Sequence, residues 1–419
     1  MLIRMALRNL FRHRWRTILT VGGIALSTAL LIWLLAMLSG IYDEMAQGST
    51  SVEIGQVQIR SAEYVERQSI HHFFELDEEM LRELGAIGGV SAVAPRVLLS
   101  GLVGHEDHSR IARIKGVDPD REAQVTVLEQ ALTQGRWLSQ TLPDEGAPRE
   151  IILGVMVARA LDVEVGDELV VLLQAADGSL GNELLEVTGI VETGTLAIDR
   201  HTVFMHLEDV QFIGALDGQI HELALSTSLD GAPGIAREIR RLMAHSPAGE
   251  ELVTRPWQEI APELYLMTEL AEQVSWWLLL IIFAVAALGT FNTLRMSTLE
   301  RRREFGVMMG VGLSRTRLMT LIVVEGIAIG IAGAVVGGSV GAAAAIATGT
   351  YGLPISLLSS QDTLTLMGVA LSEYITYDVA PWTIMMPVVG ILLVTVICAI
   401  WPAAMAIRPD PKDAIAGRQ

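Results

Sequence analysis

Four long apolar runs punctuate an otherwise mixed chain. They fall at about 17–41, 274–297, 318–347 and 383–407, the first reading TILTVGGIALSTALLIWLLAMLSGI. A helix needs about 20 mostly apolar residues to cross the hydrocarbon core of a bilayer, so each run predicts a membrane-spanning helix. Residues 42–273 have a different texture. Residues 51–60 alternate like a strand, 76–86 have helical spacing, and 90–103 and 110–117 are strand-like again. The order strand, helix, strand returns at 219–226, 232–245 and 251–255. Between them, about 118–215 reads as a β-rich insert, with Val165-Gly166-Asp167 as a turn entering a strand. Residues 256–273 read as a helix running into the second span, placed to carry force between domain and membrane. The expected fold is an α-helical membrane protein with four transmembrane helices plus an α+β extracytoplasmic domain inserted between helices 1 and 2.

Charge supplies the orientation. The chain has 419 residues and a net charge of −18. Residues 43–272 hold 40 acids and 16 bases, whereas 1–16, 295–317 and 408–419 together hold 14 bases and 4 acids. Lys and Arg favour cytoplasmic loops, and four spans put all three basic pieces on one side. Both termini and the 298–317 link are therefore expected in the cytoplasm, with the acidic domain and the 348–382 loop outside. The acidic total excludes a nucleic-acid partner. The apolar core of the first span is too long for a cleaved signal peptide, and no small-x-small site follows before Tyr42.

The spans carry further signals. In residues 1–16, Ile3, Leu7, Leu10 and Phe11 recur at helical spacing against five arginines, predicting an amphipathic helix on the cytoplasmic membrane face. Gly326, Gly330, Gly333, Gly337 and Gly341 share helix faces in the third span, allowing close approach either within one chain or across a dimer face. Glu325 is an intramembrane carboxylate about two turns from Arg317, which predicts a salt bridge or a snorkelled position. In the link, Glu300 to Met309 can form a short charged helix, Gly310 and Gly312 can end it, and Ser314 can cap the next. Such a helix, joined rigidly to two spans, makes a docking lever. Met37, Leu38, Ile41, Leu264, Met267 and Leu270 lie at the outer ends of the first two spans and are candidates for an apolar substrate entry; ordinary packing is the alternative.

Catalytic chemistry finds little support. The lone cysteine, Cys398, sits in an apolar run and permits no internal disulfide. His105-Glu106-Asp107-His108 reads as a hairpin tip rather than a metal site. The sequence contains no G-x-S-x-G, no H-E-x-x-H and no phosphate-cradling G-x-x-x-x-G-K-[ST].

The string Leu299-Glu300-Arg301-Arg302-Arg303-Glu304-Phe305-Gly306-Val307-Met308, followed by Gly312, Ser314 and Glu325, resembles the signature of MacB/FtsX-type (type VII) ABC transporter permeases. Pro402-Ala403, Arg408, Pro409 and Pro411-x-x-Ala414 are similar to that family's tail. The layout of one span, a large domain and three spans also matches. Pro95-Arg96 and Gly116-Val117-Asp118-Pro119 are similar to a segment of the lipoprotein-releasing LolC/LolE permeases. The resemblance implies porter-like and sabre-like parts in the domain, and a location in the bacterial inner membrane. It also implies two separate ATPase subunits, a second identical or homologous permease, and a periplasmic carrier or other outer partner. ATP and Mg would be bound by the ATPase, leaving this chain no cofactor and no enzymatic role of its own. Glu300, Arg301, Arg302, Arg303, Glu304, Phe305, Gly306, Gly312 and Ser314 would couple to that ATPase. Lipoprotein release is the leading function. MacB-like efflux of peptides or small molecules and FtsX-like signalling to a cell-wall hydrolase are the alternatives.

Overall fold

In the computed structural model of the protein, residues 14–141, 148–244, 251–354, 365–366, 369–370, 374–377 and 379–406 are described. Residues 1–13 of the amphipathic stretch, much of the 348–382 loop and the tail beyond 406 lie outside them. The chain divides into a helical unit, built mainly from residues before 44 and after 268, and a domain covering 44–268.

The helical unit contains the four apolar runs as helices Arg14–Ser49, Pro262–Glu300, Arg315–Tyr351 and Pro381–Ala406, all long and apolar enough to cross a membrane. The first two overrun their apolar cores. With 36 and 39 residues they extend about 54 and 58 Å at a rise of about 1.5 Å per residue. A hydrocarbon core of about 30 Å leaves turns of both outside it.

Glycines set the contacts within this unit. A Cβ on Gly326 or Gly330 would lie 2.7 Å from Ala399 or 2.8 Å from Thr395 of the fourth helix. A Cβ on Gly337 would run into the carbonyl of Ala25 in the first helix, and one on Gly341 would lie 2.8 Å from the Ala29 Cα. The third helix thus lays one glycine row on each neighbour, and both rows are used inside the chain. Leu280, Ile281, Val285 and Leu288 on the second helix, and Val389, Leu393 and Ile397 on the fourth, point outward. Such apolar flanks suit lipid. Tyr377 lies against Gly40 and Gly349, and its hydroxyl is 2.6 Å from Thr348 Oγ1, which accepts a 3.2 Å bond from Trp33 Nε1.

In the domain, the alternation at 51–60 is only partly a strand. The first helix runs through Ser49 into a π-turn, Thr50–Ile54, closed by Gly55 at φ +71°. The strand begins only at Val57. Among the described residues of the domain twelve strands follow: β1 (Val57–Ser61), β2 (Phe74–Glu75), β3 (Ala92–His105), β4 (His108–Val117), β5 (Leu132–Gly135), β6 (Arg149–Gly154), β7 (Glu168–Gln174), β8 (Leu180–Val191), β9 (Thr202–His206), β10 (Gln219–Ile220), β11 (Glu222–Ser226) and β12 (Leu252–Pro256). Among its described residues the insert also holds the short α-helices Pro119–Val125, Val155–Leu161, Leu196–His201 and Leu207–Ile213, absent from the strand-dominated expectation.

The main sheet runs β12-β1-β11-β3-β4-β9-β6-β8-β5, and β7 pairs with both β3 and β8. Those extra pairings close a six-strand ring, β3-β4-β9-β6-β8-β7. Beyond β3 the sheet continues open through β11, β1 and β12. β3 and β4, with 14 and 10 residues, are long enough to serve both parts. Gly101 sits where β3 meets β7; a Cβ there would lie 2.7 Å from the Leu172 carbonyl, so a larger residue would push the ring open. β7 alternates cleanly, with Leu169, Val171 and Leu173 buried between exposed neighbours. They join Val103, Ile114, Ile151, Leu153, Leu185, Val203 and Met205 in one core, as expected for a ring narrow enough to be filled by side chains.

Candidate functional site

Two groups of charged residues stand out, one in each unit. The first is the link between the second and third spans. The second helix ends at Glu300, Arg301 leaves helical geometry, and a separate helix runs Arg302–Gly310. The link therefore breaks one residue after Glu300 instead of forming a single helix from Glu300 to Met309. Gly312, at φ +104°, makes the return turn. Ser314 caps the third helix, its Oγ accepting the Arg317 N–H at 3.4 Å.

Arg301 explains the break. The residue is 7% exposed, and its guanidinium donates two bonds to Glu325, at 2.8 and 3.0 Å, and one to Glu304 at 3.2 Å. It also lies 5.1 Å from the Phe305 ring centre. Glu325 is thus salt-bridged, with Arg301 as its partner rather than the nearer-in-sequence Arg317. Phe305 is buried with Leu318, Ile322, Ala403 and Ala406, which pins the link helix to the third and fourth spans. Gly306 is buried too, Arg302 is half-buried, and Arg303, Glu304, Val307, Gly310 and Val311 face outward. The nine link residues therefore divide into anchors, turn-formers and an exposed face.

The apolar entry candidates do not form one surface type. Met37 is buried, Leu264 packs on the domain core, Leu38, Ile41 and Met267 are half-buried, and Leu270 is exposed. The His105–His108 stretch is a hairpin tip, with the His105 ring bonded to the Glu168 carbonyl at 2.8 Å.

The second group centres on Arg96 in β3, which is fully buried. Its Nε and Nη2 donate to Glu122 at 2.9 and 2.7 Å; its Nη1 donates to Glu222 at 2.7 Å and to the Glu53 carbonyl at 2.9 Å. Glu122 arrives on the helix Pro119–Val125, whose start is fixed by Asp118 accepting the N–H groups of Asp120 and Arg121. Glu222 opens β11 and also pairs with Arg60 of β1, whose Nε lies 2.8 Å away. Burial works against charge throughout. Around Glu222, however, Arg60, Arg96 and Lys115 outweigh it and hold the carboxyl down at about 2. Glu122 is likewise lowered, against burial, by Arg96 and Lys115. For Arg96, burial is outweighed by Glu122 and Glu222, so its proton is held more firmly than usual. A buried guanidinium held by two carboxylates at this geometry locks three strands and a helix together.

Sequence reasoning picked out Arg96 and the Asp118 turn only as a resemblance; it missed Glu122, Glu222 and Lys115. The available signal was a charge in the middle of an apolar strand, which demands a partner. Nothing local identifies that partner, since Glu122 and Glu222 lie 26 and 126 residues further on.

Known proteins share this arrangement of segments. Residues 17–236 match the MacB-like periplasmic core domain, and 276–411 match the FtsX-like permease C-terminal domain. The chain is 27% identical over 407 residues to the lipoprotein-releasing system transmembrane protein LolC of Xylella fastidiosa, covering 94% of this chain and 92% of that one. To LolC of Neisseria meningitidis it is 24% identical over 330 residues, covering 77% and 75%. To the macrolide export ATP-binding/permease protein MacB of Escherichia coli it is 24% identical over 341 residues, covering 80% of this chain and 51% of that one. With more than half of this chain matched by the core domain and the permease domain matched after it, the chain belongs to the MacB/FtsX-type (type VII) family of ABC transporter permeases.

Proposed function

We propose that this permease works with separate ATPase subunits to release lipoproteins from the bacterial inner membrane. The observation that carries the reading is the match to LolC proteins across nearly the whole length of both chains. In this reading both termini and the link are cytoplasmic, the domain is periplasmic, and two permeases, identical or homologous, pair over two ATPases that bind ATP and Mg. A periplasmic carrier takes the released cargo.

The link helix is the part pushed by the ATPase. Arg303, Glu304, Val307 and Val311 form the docking face, while Arg301 and Phe305 hold the lever to the third and fourth spans. The long first and second helices pass the movement outward. Leu38, Ile41, Met267 and Leu270 remain the residues placed to meet an acyl chain.

The match to MacB supports a second reading, export of a peptide or small molecule, but it leaves about half of the MacB chain uncovered. Reconstitution with the ATPase and a soluble carrier separates the two. ATP-dependent transfer of a bound lipoprotein to the carrier is expected. ATPase stimulation by peptides or drugs, with no lipoprotein transfer, would select the export reading.

A further inference from the structure

The sheet face that carries Arg96 continues into a cleft of about 340 Å³. Its floor can be followed across five strands by register. Arg60 pairs with Glu222, Glu222 with Arg96, Leu98 with Lys115, and Lys115 with Phe204. One step along, Ser100 pairs with Arg113 and Arg113 with Thr202. Side chains two apart on a strand share a face, so these residues share one sheet face, and all of them except Arg96 line the cleft.

Most charges on that surface are matched. Arg60 and Arg96 share Glu222, and Arg113 reaches the Glu53 carboxylate at 2.9 Å. Lys115 differs. It is 5% exposed, and its hydrogen bond goes to a neutral group, the Glu53 carbonyl, at 3.0 Å. Beside it, the buried Gln58 amide donates through Nε2 to the Ile54 carbonyl at 2.7 Å, while its Oε1 has no partner among the described residues. Lys115 and Gln58 thus end on consecutive carbonyls of the same π-turn, and both line the cleft, one with an ammonium and the other with a buried, unpartnered acceptor. Further along, the buried Thr202 hydroxyl also lacks a partner among the described residues.

We propose that this cleft binds a carboxylate that carries an amide N–H beside it, the unit found at a peptide C-terminus and in N-acyl amino acids. The carboxylate meets Lys115, and the N–H donates to Gln58 Oε1. A bridging water can satisfy Gln58 and Thr202, but it gives Lys115 no anion in direct hydrogen-bond contact, its nearby carboxylates acting only at longer range. Burial, joined by repulsion from Arg96, pushes Lys115 down to about 8, against the pull of Glu122, Glu222 and Glu53. A bound anion adds to that pull. Binding therefore takes up or retains the Lys115 proton, and affinity falls as pH rises above about 8. The site is independent of which ATPase or cargo the permease serves.

The test is calorimetric titration of the full chain in detergent with N-acetylglycine, acetate and N-acetylglycine N-methylamide. N-acetylglycine should bind more tightly than acetate, and the neutral amide should not bind. Lys115→Met should weaken N-acetylglycine about tenfold or more, the scale of a charged hydrogen bond. Gln58→Leu should erase its advantage over acetate and gives a second readout if the first variant fails a thermal-unfolding check. A short peptide with a free C-terminus that binds more tightly than N-acetylglycine assigns the ligand to polypeptide; equal binding assigns it to a free small acid. The proposal is overturned if no carboxylate binds at millimolar concentration, or if folded Lys115→Met binds N-acetylglycine as well as the parent does.

Discussion

Arg96 shows what one buried charge demands of its surroundings. Its strand supplies no acid, so a carboxylate must come from a capped helix and another from a distant strand. Removing one partner leaves a charge buried and unmatched, which costs about 3–5 kcal/mol. Glu222→Gln should therefore lower the unfolding temperature of the purified chain strongly, whereas Arg303→Glu on the exposed link face should barely move it. The pH dependence has a definite sign. Glu222 is lowered from an ordinary 4.5 to about 2, so its contribution is complete above 4.5 and is lost as pH falls towards 2. Acid titration of parent and Glu222→Gln should show the two stabilities converging in that window; parallel curves would contradict the assignment. Arg301 makes a similar demand in the helical unit. Arg301→Met alone should destabilise by about 3–5 kcal/mol, and adding Glu325→Leu should recover most of the loss. A double variant as unstable as the sum of the singles would show the pair is not coupled.

Elements were legible where one period runs long. Four apolar runs gave four helices because nothing competes with a 20-residue apolar stretch, and β3, β4 and the helix at 232–243 follow their patterns closely. Misreadings came where two signals overlap. Residues 51–54 alternate, but they complete the π-turn that ends the first helix before Gly55 turns the chain. The insert's short helices are too brief to show a period against the strands around them. The six-strand ring was invisible, because pairing of β7 with β3 depends on register across the insert. The glycine rows were legible as close-packing faces, yet sequence left open which surface they meet. Their neighbours are the first and fourth helices of the same chain. Gly337→Leu should thus lower thermal stability in detergent while leaving the association state unchanged, as read by light scattering. A stable variant that loses its dimer would reverse that assignment. On the link, Arg303→Glu with Val307→Asp should abolish ATPase co-purification without unfolding the chain, because both side chains face outward.

At the scale of the whole molecule, two very different bodies share one chain: a helical unit with apolar flanks and an acidic α+β domain built from discontinuous pieces. Charge asymmetry and a short link motif made the family recognisable before any contact was known. Long-range pairs such as Arg96–Glu222 and the Lys115 cleft needed the fold. The account rests on a permease whose energy comes from another chain through the link helix. Affinity purification of the full-length protein from its native membranes, with the partners identified by mass spectrometry and ATP hydrolysis measured, tests that most directly. The account predicts an ABC ATPase recovered with the parent chain, hydrolysing ATP, and lost with the Arg303→Glu, Val307→Asp variant. Recovery of the parent without any ATP-binding chain, or an ATPase retained undiminished by the variant, would contradict it.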